Sequence, residues 1–170
     1  MVIKWKYIAI SVLIIAVSVF AFRWFYAVET EEDIIRRKMD EFVENIAKHK
    51  GAGIASNVLS SNKLADYFTN PCDIGIGISE ISGVFGTEQI VNTAMRIRAM
   101  FKTISLKISD VTIIYNPKNE RAVVEFSATF DGIFNNGENI NGVRDLRCFL
   151  LKQDGQWKIN IVNIRQVLEK

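Results

Sequence analysis

The spacing of apolar residues changes twice along this chain. Sixteen residues from Tyr7 to Phe22 pass without a charge and without a polar stripe. After Glu29 the apolar positions recur every three or four residues, and beyond about residue 103 they alternate. Helical spacing predicts a helix over 29–50, with Ile34, Ile35, Met39, Phe42, Val43, Ile46 and Ala47 on one face. Thr30 is its expected N-cap, with Asp33 three residues on. Glu29, Glu31, Glu32 and Asp33 suit the positive end of the helix dipole, and Lys48, His49 and Lys50 the other, with Gly51 to end the helix. A shorter helix is predicted over 57–68, stopped by Asn70-Pro71. Residues 73–78 read as a short edge strand or a loop at a pocket mouth, because glycines interrupt the alternation. A third helix opens at Gly86-Thr87-Glu88-Gln89, with Thr87 as N-cap, and runs to Phe101.

Period two then takes over. Ile104, Leu106 and Ile108 alternate in one phase, and Val111, Ile113 and Tyr115 in the other. The extra residue near Ser109-Asp110 implies a bulge, which would curve the sheet. Asn116 to Asn119 makes a turn, and Ala122, Val124, Phe126, Ala128 and Phe130 mark the next strand. Residues 131–141, rich in Gly and Asn, read as a loop. Leu146, Cys148 and Leu150 begin another strand, Gln153-Asp154-Gly155-Gln156 a hairpin turn, and Trp157, Ile159 and Ile161 a last strand ending near Val167. Helices first and long strands afterwards predict an α+β domain, three helices on a curved antiparallel sheet, spanning 29–170.

The first 28 residues form a separate unit. A membrane-spanning helix needs about 20 residues at 1.5 Å each. The uncharged stretch approaches that length, and Trp5, Tyr7, Trp24, Phe25 and Tyr26 at its ends resemble interfacial aromatic belts. Lys4 and Lys6 precede it, whereas Arg23 and then an acidic run follow, so the positive-inside rule places the N-terminus in the cytoplasm and the domain outside it. The expectation is a single-pass protein of the cytoplasmic membrane, embedded in lipid through residues 5–26. A cleaved signal peptide and a buried core helix are the competing readings.

Three local patterns carry a family resemblance: Gly86-Thr87-Glu88-Gln89-Ile90 at the third helix, Asn119-Glu120-Arg121-Ala122-Val123-Val124 at a strand start, and Asp154-Gly155-Gln156-Trp157-Lys158-Ile159 at the last hairpin. With the order of elements, they make residues 29–170 similar to the nuclear transport factor 2-like, or cystatin-like, superfamily, which includes the SnoaL-like domains. The resemblance implies a cone-shaped domain whose mouth can hold an apolar ligand. The family spans ketosteroid isomerases, polyketide cyclases, dehydratases, epoxide hydrolases, transport adaptors and secretion-system components, so it implies a shape rather than one chemistry. Its membrane-tethered members include the periplasmic domain of a type IV secretion component, whose layout this chain resembles.

Composition narrows the choices. With 49% hydrophobic and 24% charged residues the chain is globular, not disordered. Of its 21 Lys+Arg, three precede Glu29, leaving 18 basic against 19 acidic residues, a balance that offers no footprint for nucleic acid. His49, the single histidine, lies between Lys48 and Lys50, an exposed setting unsuited to a Ser-His-Asp set or a zinc site. An isomerase pattern implied by the resemblance needs a Tyr and carboxylates facing the cone, and Asp66, Tyr67, Asp131 and Asp145 are the candidates. Phe42, Phe68, Met95, Phe101, Phe126 and Phe130 are the expected pocket lining, or else core filling. Cys72 and Cys148 lack metal-ligand spacing; a disulfide and two free thiols both stay open. No metal or cofactor is expected. The leading expectation is a non-catalytic, membrane-anchored interaction or scaffold domain of the cell envelope, meeting a second copy or an envelope protein through its sheet face. An apolar small-molecule binding domain is the alternative, with an isomerase or dehydratase behind it.

Overall fold

The computed structural model describes residues 14–18, 29–77 and 82–164. Ile14 to Ser18 is helical. The rest of the expected span, 1–13 and 19–28, lies outside the described residues, and among the described residues no helix is long and apolar enough to cross a membrane.

Helix α1 (Glu31–Ile46) buries Ile35 and Met39, four residues apart on its inner face. Thr30 caps it as predicted: its hydroxyl accepts from the Asp33 amide at 3.2 Å while Asp33 accepts from the Thr30 amide at 3.2 Å. The helix stops at Ile46 rather than near Lys50, because Lys48 leaves it to bridge Ile104 on the sheet. Helix α2 (Ile54–Ala65) starts three residues earlier than predicted and ends before Phe68, which begins strand β1 (Phe68–Gly75). Strand β2 (Gly83–Phe85) precedes helix α3 (Thr87–Met100). Its N-cap is Gly86, not Thr87: the Gly86 amide donates to Gln89 Oε1 at 2.8 Å.

The remaining chain is a meander of β3 (Phe101–Asn116), β4 (Arg121–Phe134), β5 (Asn139–Gln153) and β6 (Gln156–Ile164). The sheet order is β2-β1-β6-β5-β4-β3. Three expectations about the sheet are corrected. The sheet is mixed, since β1 runs parallel to β6 and antiparallel to β2. This strand is also internal, not an edge: the Ile159 amide donates to the Tyr67 carbonyl at 2.7 Å, seating β1 against β6 as soon as the chain leaves α2. Residues 131–141 are mostly strand, paired through Ile133–Asn139, so that only 135–138 form the tip. The β3 bulge falls where expected, between Ser109 and Thr112, with Asp110 at φ 53°. Asp154 and Gly155 (φ 51° and 74°) give the tight β5–β6 turn the left-handed pair that a two-residue hairpin favours.

The core lies between the helices and one face of the sheet. Val124, Cys148, Trp157 and Leu150 rise from the strands to meet Ile35 and Met39. The Trp157 indole donates to Glu31 Oε2 at 2.8 Å, and Lys152 pairs with Glu31 Oε1 at 2.5 Å, so the start of α1 is tied to the last hairpin. At the far ends of α1 and α3 two cations cross. Buried Arg98 of α3 donates to the carbonyls of Asn45, Ile46 and Ala47 at 2.9–3.3 Å, and Lys48 donates to the Arg98 and Phe101 carbonyls. Both satisfy helix-end acceptors that lack intrahelical partners.

Candidate functional site

Strand register decides which side chains share a face. On β4 the buried positions are Ala122, Val124, Phe126, Ala128 and Gly132, and alternation carries the same face on through Phe130 and Phe134. Their partners on β5 are Leu150, Cys148, Leu146, Arg144, Gly142 and Ile140. On β3, Ile108, Leu106 and Ile104 oppose Ala128, Phe130 and Gly132. This is the concave, helix-bearing face. One end is sealed around Trp157, with Tyr115 edge-on at 5.6 Å.

The other end is different. Phe101 stacks on Phe134 at 4.2 Å and meets Phe130 edge-on at 5.8 Å, closing the top over Gly132. A Cβ on Gly132 would lie 2.6 Å from the Phe101 ring, so the close approach requires glycine there. Beside it, among the described residues, the surface opens. A Cβ at Gly142 meets nothing within 4 Å among the described residues, Ile140 is 44% exposed, and Leu106, Ile108 and Phe130 are half-buried. The paired part of β6 reaches only Leu146, so no described strand flanks β5 at 140–145.

The expected lining residues divide. Phe101, Phe126 and Phe130 lie on the concave face, and Met95 is half-buried on α3. Phe42 and Phe68 form another group, at 5.6 Å from each other and with Phe42 at 5.4 Å from Tyr67. Phe134, Ile140, Gly142 and Arg144 were not expected. Their signal was present, because alternation from Leu146 back to Ile140 keeps one phase, but the glycines and asparagines around it read as a loop.

The four acid–base candidates do not converge. Asp66 and Tyr67 line a cleft of about 430 Å³ between α1 and the end of α2, with Lys38, Glu41, Glu44, Asn45 and Lys63. Tyr67 accepts from Asn45 Nδ2 at 2.9 Å and carries Lys38 Nζ 5.4 Å above its ring; burial raises the phenol pKa and lowers that of the lysine. Asp131 and Asp145 belong to the opposite, convex phase of the sheet, where Asp145 accepts from Ser127 Oγ at 2.6 Å. The isomerase-type set is therefore split between two surfaces, neither of them the cone. Among the described residues no group of three His, Cys, Asp or Glu side chains could hold a metal. Cys72 and Cys148 are free and buried, and burial pushes both thiols up to about 12.

No protein-family model and no curated protein matches the chain. Solved structures do match. A candidate scytalone dehydratase from Novosphingobium aromaticivorans superposes at TM-score 0.62 with 19% identity, over 81% of this chain and 85% of that one. A candidate aromatic ring hydroxylase from the same organism gives 0.63 and 11%, over 80% and 88%. A type 3 hexachlorocyclohexane dehydrochlorinase, LinA, from Novosphingobium barchaimii gives 0.60 and 12%, over 79% and 84%. The described domain thus has the nuclear transport factor 2-like fold. The expectation of a non-catalytic interaction or scaffold domain is corrected: these neighbours are named for chemistry on small molecules, and the apolar small-molecule alternative fits them better.

Proposed function

We propose that the domain binds a small apolar molecule on the concave face of its sheet, at the open end beside Phe130, Leu106 and Gly142. One observation carries this reading. The apolar alternation that seals the core at Trp157 continues along β3, β4 and β5 to positions that are half-buried among the described residues, next to Gly142, where no described residue lies within 4 Å of an added Cβ. A concave apolar surface with few polar groups is the usual form of a small-molecule site. The neighbours named for hexachlorocyclohexane and for aromatic rings agree with a compact ring-sized ligand. Among the described residues the concave positions of β3, β4 and β5 carry no carboxylate and no imidazole. Binding, rather than proton transfer, is the step they support.

Gly142→Phe tests it. Gly142 has no positive φ and no described neighbour within 4 Å of an added Cβ, so the ring can occupy the opening without backbone strain. The variant should keep its thermal transition within a few degrees and lose at least tenfold in affinity for a neutral apolar probe such as N-phenylnaphthylamine, followed by fluorescence. A folded variant that binds the probe like the parent would remove the reading.

A further inference from the structure

We infer that the ligand of this site carries a single anionic group, a carboxylate on a ring-sized apolar body, and that Arg144 receives it. This deepens the binding site proposed above and rests on it. The concave positions of β3, β4 and β5 include two charged residues among those described, Arg144 and Lys152. Lys152, at the sealed end, is neutralised by Glu31 at 2.5 Å. Arg144, at the open end, has no carboxylate partner among the described residues. Among the described residues its guanidinium makes one hydrogen bond, from Nη1 to the carbonyl of its own neighbour Val143 at 2.9 Å, which takes one of five donors.

Its place in the register gives that cation a role. Arg144 stands opposite Ala128, which is buried, and in line with Ile108, while the next row toward the tip is Leu106, Phe130 and Gly142. An exposed cation thus borders an apolar surface with small residues beside it, Ala128 across from it and Gly142 two positions along. An apolar body lying over Phe130 and Gly142 brings its edge to Arg144. A planar carboxylate matches the guanidinium fork with two parallel hydrogen bonds. The lowered polarity of the neighbouring surface strengthens that contact relative to open water. The convex face does not share this pattern, since its Arg147 is already held by Glu125 at 2.6 Å.

The test compares cyclohexanecarboxylate with its neutral amide by isothermal titration of the full chain at pH 7. The parent should prefer the acid by about tenfold, the size expected of a charge-assisted pair. Arg144→Met should erase the preference while leaving affinity for the amide within about threefold. Arg144→Lys should keep part of it. A preference that survives in Arg144→Met, or that is absent in the parent while both compounds bind, overturns the role of Arg144 and leaves the apolar site standing. Failure of both compounds to bind overturns the site itself.

Discussion

At Gly132 one methyl group separates a closed sheet end from a disturbed one. An alanine there would press its Cβ into Phe101 at 2.6 Å and Phe130 at 3.0 Å, the first already stacked on Phe134 and the second edge-on to Phe101. Gly132→Ala should therefore lower stability by about 1–3 kcal/mol, measured by urea unfolding. Glu31 is a second sensitive position. Hydrogen bonds from Lys152, then from Trp157, hold its carboxyl below the ordinary 4.5. A depressed folded pKa means that the folded chain binds the proton less readily than the unfolded chain, so the contribution is complete above about pH 4.5 and fades as acid reaches the folded value. Glu31→Gln should lower the thermal midpoint at pH 7, and the gap from the parent should narrow with acidification. Cys72 and Cys148 should resist a thiol reagent at pH 8 in the folded state and react on unfolding, because burial holds both as thiols.

Elements differed in how far the sequence revealed them. Helix α1 was legible through its capping box and the Ile35–Met39 face, and the β3 bulge through a phase change at Ser109-Asp110; both are local patterns. The 131–141 segment was not, because Gly132, Asn135, Asn136 and Gly137 have loop chemistry whether or not two long strands pair around them. Gly132 turned out to mark ring contact rather than a turn. The end of α1 was also misread: Lys48 looked like a residue in the last turn, yet a β-bridge to Ile104 draws it away. The junction of α1 and α3 depends on Arg98. Arg98→Met should cost about 2 kcal/mol, since three helix-end carbonyls lose a charged donor, and chemical denaturation would show it.

For the molecule as a whole, element order and three short patterns pointed to the right fold, while the direction of β1 was hidden. Its parallel partner β6 lies at the far end of the sequence, and no local signal joins Phe68 to Ile159. The candidate site shows the same division. Phe126 and Phe130 followed from alternation, but Asp66, Tyr67, Asp131 and Asp145 were chosen by residue type, and only the assembled sheet shows that they face elsewhere. A single core joins all layers through Trp157, which is 1% exposed. Trp157→Ala should remove about 3–5 kcal/mol and shift the entire unfolding transition as one, with circular dichroism and fluorescence moving together.

The exchange of cations between α1 and α3 has a kinetic consequence. Each helix end is held by a side chain rooted in, or just beyond, the other, so neither can fray alone. Amide protons in the two last turns should exchange with solvent at one shared rate. That stiff wall leaves the stretch of β5 that no described strand flanks as the doorway to the proposed site, and a ligand would come and go past Gly142 without any helix swinging aside.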